Sequence, residues 1–161
     1  MLKIIELEDK FYSSTESSIK VITPTEGFIK TAGVASEITD FLKIMRRNPG
    51  RTYLHINAVG AGEFWGSNRN GDYFPEQTLI DYHKVYEHTT KDVEGKYTGN
   101  VFKHHVNKNS YEAYGKVLFS YYKPRMHRVE LIAEIIDNRA PDIIEEVAQG
   151  RLPKVSMGMS T

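Results

Sequence analysis

Residues 111–136 read YEAYGKVLFSYYKPRMHRVELIAEII, and this stretch carries the clearest strand pattern in the chain. Large apolar residues alternate with other residues in both of its halves, first at Val117, Phe119 and Tyr121 and then at Val129, Leu131, Ala133 and Ile135. Period-two alternation predicts two strands, Tyr111–Tyr122 and Arg128–Ile136, each with one side facing a core. The connection Lys123–His127 contains a proline and is typical of a hairpin loop, so the two strands are predicted to pair.

The rest of the chain adds shorter strands and helices around this hairpin. Further strands are predicted at Leu2–Leu7, Ile19–Ile22, Tyr53–Val59, Asn100–His104 and within Leu152–Thr161. Helices are predicted over residues 34–47, from Pro75 with a stripe of Leu79, Tyr82, Val85 and Tyr86, and from Pro141 to a closing Gly150. The segments 13–18 and 60–71 are polar or rich in turn residues and are predicted to be loops. The pattern predicts an α+β fold, mainly antiparallel, with about three flanking helices.

Length and composition limit the classes of protein to which this chain can belong. A chain of 161 residues is expected to form one domain with a real core, here residues 51–161, with Met1–Gly50 as an N-terminal extension packed on it. Twenty-one basic residues balance 21 acidic ones, so the chain lacks the charge excess of proteins that bind nucleic acid or an anionic membrane. No apolar run is long enough to span a bilayer. The absence of cysteine excludes disulfides and thiolate chemistry and fits a reducing compartment.

The tail Leu152–Thr161 presents a serine on a strand with little bulk beside it. Large residues (Val155, Met157 and Met159) alternate there with small ones (Ser156, Gly158 and Ser160). One side of the predicted strand is therefore apolar, and the other exposes the Ser156 hydroxyl to an approaching molecule. Serine becomes a nucleophile when an imidazole accepts its proton and hydrogen-bond donors stabilise the oxyanion. The alternative interpretation is an ordinary edge strand with a small-residue face.

The histidines supply candidates for the general base. The pair His104-His105 ends a predicted strand and begins a polar loop, a place where catalytic side chains often stand. Adjacent strand residues point to opposite faces, so only one of the pair is expected to reach a given site, and no metal or cofactor is predicted. His83 and His88 are interpreted as surface residues. The sequence suggests no partner for His55 or His127.

Three segments in one order resemble the maturation (prohead) proteases of tailed bacteriophages, which are related to herpesvirus assemblin. They are the Asn-rich turn Asn68–Pro75, the histidine segment Phe102–His105 followed by Tyr114–Val117, and the serine segment Gly150–Gly158. The resemblance covers about Thr52–Thr161, and its weight lies in the order and spacing of the segments. Met1–Gly50 has no counterpart in it.

The resemblance implies a site and a role. Ser156 matches the nucleophile and His105 the general base, with His104 as the alternative. Residues assigned to the oxyanion or substrate groove are Met157, Gly158, Asn68 and Asn70. The fold is expected to be a β-barrel-like core. The implied substrates are phage scaffold and major capsid proteins, cleaved without a cofactor inside the immature head in the host cytoplasm; homo-oligomerisation is left open.

One feature of the family's pattern lies beyond this sequence. The third catalytic residue usually stands on a strand after the serine, and the sequence ends soon after Ser156. The protease-like domain is therefore expected either to lack its last strands here or to be catalytically incomplete. The alternative function is a structural or portal-associated head protein that keeps the protease-like fold. An unrelated β-rich binding domain is a third hypothesis.

Overall fold

The computed structural model describes residues 5–7, 10–13, 19–22, 41, 48–68, 71–91, 94–103, 112–151 and 157–158, and the structural statements below concern these residues. The strands are β1 (Ile5–Leu7), β2 (Lys10–Ser13), β3 (Ile19–Ile22), β4 (Arg51–Gly60), β5 (Thr90–Lys91), β6 (Tyr97–Val101), β7 (Gly115–Lys123), β8 (Arg128–Ile136) and β9 (Met157–Gly158). The α-helices are α1 (Gly62–Trp65), α2 (Glu76–Tyr82) and α3 (Pro141–Ala148). Short 3₁₀ turns occupy His83–Glu87, Pro124–Met126 and Asp137–Arg139.

The main sheet is antiparallel, with the strand order β3-β4-β8-β7-β6-β5. Within the described residues it is open, with β3 and β5 at its two edges. A second sheet has the order β1-β2-β9, in which Ser13 and Tyr12 of β2 pair with Met157 and Gly158 of β9. Antiparallel sheets with separate helices confirm the predicted α+β class.

The predicted hairpin is present, but its first strand starts later and has a bulge. The second strand has the predicted bounds, whereas the first begins at Gly115. The register shifts between Val117, which pairs with Ala133, and Phe119, which pairs with Ile132. An extra residue in a strand breaks the alternation of faces. The prediction that Val117 and Phe119 share one face was therefore wrong.

The core lies on one face of the central strands, beneath helices α2 and α3. Its buried residues include Leu54, Ile56, Val59, Leu79, Tyr122, Val129, Leu131, Ala133 and Ile135. The opposite face of β8 is buried too, although it carries Glu130 and Glu134. On that face the ring of Phe41 stacks on Phe119 with a centroid distance of 4.8 Å. The central strand is therefore covered on both sides, as buried strands of large sheets are.

Two of the predicted helices, α2 and α3, are present with differences from the prediction, and α1 is a helix that the sequence did not predict. α2 follows Pro75, but Tyr82 and Val85 are exposed. Val85 leaves the stripe because residues 83–87 form a 3₁₀ turn, with three residues per turn, so the helical phase is lost after Tyr82. α3 begins at Pro141, and Gly150 has the positive φ of 74° expected after a helix end.

Other boundaries differ from the predictions or lie outside the described residues. Helix α1 stands inside the predicted loop 60–71, and Ser13 belongs to β2 rather than to a loop. β6 ends at Val101, earlier than predicted. Apart from Phe41, which is helical, the helix predicted over 34–47 lies outside the described residues.

Candidate functional site

The proposed catalytic residues lie outside the part of the chain that the structure describes. This applies to Ser156, His104 and His105, and also to Asn70 of the proposed groove. Met157 and Gly158, within the predicted strand of Leu152–Thr161, form β9, and the prediction that Ser156 lies on that strand concerns a residue outside the described part of the chain. The distance between the serine and either histidine therefore stays a prediction.

Lys103 and Tyr114, which stand before and after residues 104–111, both contact the start of helix α3. Lys103 Nζ lies 3.2 Å from Asp142 Oδ2, and the Tyr114 hydroxyl donates to Asp142 Oδ1 over 3.3 Å. Burial raises the pKa of the Asp142 carboxyl, but Lys103 and other donors outweigh it and hold this pKa below its usual range. The hydrogen bond to Asp142 also raises the pKa of Lys103. Asp142 thus fixes both anchors of residues 104–111 to the helix that precedes the serine segment.

Asn68 closes the turn that precedes α2. Its Oδ1 accepts from the Asp72 backbone N–H at 2.9 Å, and its Nδ2 donates to Asp72 Oδ2 at 3.0 Å. The Gly71 N–H donates to the Asn68 carbonyl at 2.9 Å, and Gly71 has a φ of 83°, which favours glycine. These contacts give Asn68 a structural role in the turn; its contact with a substrate is untested.

A histidine–carboxylate pair that sequence reasoning missed lies between α2 and the β7–β8 connection. His127 Nδ1 donates to Glu76 Oε1 at 2.7 Å, and the Tyr122 hydroxyl donates to the same oxygen at 2.5 Å. The hydrogen bonds from Tyr122 and then His127 hold the pKa of Glu76 below its usual range. Burial, reinforced by Glu76, raises the pKa of Tyr122. Because a carboxylate fixes Nδ1 as the donor, the other ring nitrogen, Nε2, is left as an acceptor when the ring is neutral.

His127 is held in place by its backbone and by a stacked ring. It is the one non-glycine among the described residues with a positive φ, 49°, a conformation that is uncommon for side-chain-bearing residues. Its carbonyl accepts from the Ala61 N–H at 2.7 Å, which ties the connection to α1. The Phe64 ring stacks on the imidazole with a centroid distance of 3.4 Å. The histidine is therefore positioned from three sides.

A shallow pocket of about 140 Å³ opens beside this histidine. It is lined by Phe64, Trp65, Arg125, Met126 and His127. Phe64 and Trp65 are 55% and 56% exposed, although both are large and apolar. The Trp65 indole N–H donates to the Met126 carbonyl at 2.8 Å, so the pocket wall is fixed.

Glycine makes the pocket wall possible. A Cβ at Gly60 would lie 2.5 Å from the Trp65 ring, and a Cβ at Gly62 would lie 2.5 Å from the Tyr73 ring. Only residues without a side chain let both rings fold back against the end of β4. The sequence Gly60-Ala61-Gly62 was a readable signal of such close approach, but it does not say which rings approach.

A second missed cluster surrounds a fully buried carboxylate. Glu130 is 0% exposed. Its Oε1 accepts from Arg128 Nε at 3.0 Å and lies 3.0 Å from Arg128 Nη2, and its Oε2 lies 3.0 Å from His55 Nε2. Lys123 Nζ is 3.7 Å away. Burial raises the pKa of Glu130, but His55, Arg128 and Lys123 outweigh burial and hold it below its usual range. This cluster is closed to solvent and stabilises the fold instead of offering a binding site.

A larger open cavity of about 330 Å³ lies at the start of β4. Its walls are Asn48, Pro49, Gly50, Arg51 and Asp137. The Asp137 carboxylate already accepts from the Thr52 hydroxyl at 2.8 Å. Asn48 Nδ2 likewise donates to Glu134 Oε2 at 3.2 Å and Arg51 Nη1 to the Gly50 carbonyl at 3.1 Å, so the polar side chains of this cavity already have partners within the protein.

Comparisons with known proteins identify no relative. The chain matches no protein-family model, no curated protein and no solved structure. Within the described ranges, no three His, Asp or Glu side chains are grouped so that they could hold a metal ion. None of the described helices has the length and apolar character that crossing a bilayer requires.

Proposed function

We propose that this chain contains a serine endopeptidase domain of phage head maturation, with Ser156 as nucleophile and His105 as general base. The observation that carries the proposal is the order of three segments: the Asn-rich turn, the histidine segment and the serine segment. Its substrates would be scaffold and major capsid proteins inside the immature head. The described antiparallel sheet would form part of a barrel-like core.

Three features of the fold support this proposal. The Asn68 turn leads directly into a helix, and the histidine segment runs from β6 towards β7. Asp142 fastens Lys103 and Tyr114, on either side of the histidines, to α3. The C-terminal end of α3 leads into the serine segment, and α3 is short, about 12 Å at 1.5 Å per residue. The residues on either side of the histidines therefore contact the start of α3, and the serine segment follows its end.

The chemistry would follow the usual course of serine peptidases. Ser156 Oγ attacks the scissile carbonyl while the His105 imidazole accepts the hydroxyl proton. Backbone N–H groups beside Met157 and Gly158 would stabilise the oxyanion. The imidazolium then gives its proton to the leaving amine, and water releases the acyl group by the same proton transfers.

The test is cleavage of scaffold protein co-expressed with the whole protein that contains this chain. Ser156→Ala is expected to abolish cleavage, and His105→Ala to have a comparable effect, because nucleophile and base act as a unit. Ser160→Ala is the matched control, since Ser160 is predicted to lie on the same side of the strand, and it should leave cleavage intact. His104→Ala should do much less than His105→Ala.

The outcomes separate the hypotheses. Cleavage that survives Ser156→Ala would show that Ser156 is not the nucleophile. Loss of cleavage with His104→Ala but not with His105→Ala would reassign the base. If the wild-type protein cleaves neither scaffold nor capsid protein but copurifies with heads, the structural or portal-associated alternative is favoured.

A further inference from the structure

We propose that Glu76 is an acid-sensitive latch for the β7–β8 connection, residues 124–127. The ionised Glu76 carboxylate holds this connection against α2 in a strained conformation. Its protonation releases the connection, together with the Trp65 ring, while the main sheet stays folded. This inference does not depend on the serine chemistry proposed above, because none of its residues takes part in that chemistry.

The Glu76 carboxylate joins three elements at one point. Glu76 is the first residue of α2, and its Oε1 accepts from the Tyr122 hydroxyl near the end of β7 and from His127 Nδ1 at the end of the connection. Hydrogen bonds to an ionised carboxylate are about twice as strong as those to a neutral group. A protonated carboxyl also carries a donor of its own on one oxygen. Protonation of Glu76 therefore weakens its hold on the connection.

The backbone of His127 gives the connection a reason to move when that hold weakens. His127 has a φ of 49° and a ψ of 48°, the left-handed conformation. A residue with a side chain keeps this conformation where surrounding contacts hold it there, and the bond to Glu76 is such a contact. Once it is weakened, the φ of His127 can return to negative values, and the peptide group between Met126 and His127 then turns.

Trp65 is coupled to this movement. Its indole N–H donates to the Met126 carbonyl at 2.8 Å. Helix α1, to which Trp65 belongs, is a single turn of four residues, and its Phe64 and Trp65 side chains are both more than half exposed. Segments with few buried contacts open locally before the rest of a protein does. A turn of the Met126 carbonyl should therefore change the surroundings of the Trp65 ring.

Glu63 is the other carboxylate at this junction. Its Oε2 accepts from the Glu76 N–H at 2.8 Å, a contact that joins α1 to α2 and does not involve the connection. Within the described elements around the latch, the further titratable or charged side chains, besides Tyr122 and His127, are Tyr73, Lys123, Arg125 and Arg128. Tyrosine, lysine and arginine do not change charge in acid. The experiment must therefore separate Glu76 from Glu63.

Trp65 is the single tryptophan of the chain, so its fluorescence reports on the latch directly. The hydrogen bonds from Tyr122 and then from His127 hold the pKa of Glu76 below its usual range. The latch is therefore closed above the unfolded-state pKa of about 4.3 and opens as the pH falls through the lower folded-state value. The Trp65 emission should change with a midpoint below about pH 4.3. Far-UV circular dichroism should not change at that midpoint, because the main sheet stays folded.

Glu76→Gln is the first test, because glutamine imitates the protonated carboxyl. Its Trp65 emission at neutral pH should match that of the wild type in acid, and the acid transition should be lost. His127→Gly is a second variant that should lack the transition, because glycine adopts a positive φ without strain and has no imidazole for Glu76 to hold. Glu63→Gln is the control and should keep the transition.

The possible outcomes decide the proposal. It is overturned if the Trp65 emission of the wild type does not change in acid or changes only together with the circular dichroism. It is also overturned if Glu76→Gln keeps the transition or if Glu63→Gln loses it. If Glu76→Gln does not fold, His127→Gly decides: loss of the transition supports the latch, and a retained transition overturns it.

Discussion

Replacing Glu130 by glutamine should destabilise the protein by about 3 kcal/mol, the lower end of the cost of breaking a buried ion pair, since the buried carboxylate loses its charge. Arg128 Nε donates to this carboxylate at 3.0 Å, Arg128 Nη2 and His55 Nε2 also lie 3.0 Å from its oxygens, and the carboxylate is fully buried. Glutamine keeps one acceptor oxygen and has an NH2 donor in place of the other, so it cannot accept from both Arg128 and His55. The partly buried Arg128 and the buried Lys123 also lose their counter-charge.

Urea unfolding measures this change in the free energy of unfolding. With a slope of about 2 kcal/mol per molar urea, the midpoint should fall by about 1.5 M at neutral pH. Glu112→Gln is the matched control: Glu112 is exposed, and its replacement should change stability by less than about 0.5 kcal/mol. A loss below about 1 kcal/mol for Glu130→Gln would refute the assignment of Glu130 as the charge centre of this face.

The pH dependence gives an independent check on the same carboxylate. The folded-state pKa of Glu130 is depressed, so its ionised form is favoured by folding. This contribution is fully present above the unfolded-state pKa of about 4.3 and is lost as the pH falls through the folded-state value. The stability difference between the wild type and Glu130→Gln should therefore shrink as the pH is lowered below about 4. A difference that stays constant in acid would contradict the reasoning.

Two further predictions concern packing and the histidine–carboxylate pair. Gly115→Ala would place a Cβ 1.9 Å from the Glu134 carbonyl oxygen, which is part of the backbone and cannot move aside. Thermal unfolding should therefore show a loss of about 2 kcal/mol or more in the free energy of unfolding. Lys116→Ala, at the exposed neighbouring position, is the control and should change stability very little. Tyr122→Phe removes the hydrogen bond that is the largest cause of the low Glu76 pKa, so a carboxyl-carbon NMR titration should show a higher Glu76 pKa. Tyr82→Phe, at an exposed position, is the control and should leave the Glu76 pKa unchanged. An unaltered Glu76 pKa in Tyr122→Phe would show that the Tyr122 hydroxyl does not donate to Glu76 in solution.

The sequence predicted correctly the strands and helix ends that depend on residues close together in the chain. The alternation over 128–136 gave the bounds of β8, and Ile19–Ile22 is the predicted strand β3. Pro141 and Gly150 mark the ends of α3, because proline fits a helix start and glycine the positive φ that follows a helix end. These features depend on the backbone preferences of residues within a few positions of one another, and the sequence alone is sufficient to predict them.

Errors arose where a neighbour in space changes the local pattern. The bulge before Phe119 moves the side chains that follow it in β7 to the other face of the sheet, and no residue type in that strand predicts a bulge. The stripe fails at Val85 because the chain after α2 tightens into a 3₁₀ turn packed on β6 and β7. Gly99 permits this approach, since a Cβ there would lie 1.7 Å from the Tyr86 carbonyl oxygen.

The sequence by itself determined the α+β class, the hairpin and the order of motifs on which the proposed serine chemistry rests. Only the tertiary structure decided which histidines have partners: His55 meets Glu130 across 75 residues, and His127 meets Glu76 across 51. Strand patterns report which residues alternate, but not which distant segment covers each face. The Glu130 carboxylate is buried beside Arg128 of its own strand, His55 of β4 and Lys123 of β7, and that arrangement exists only once the sheet has formed.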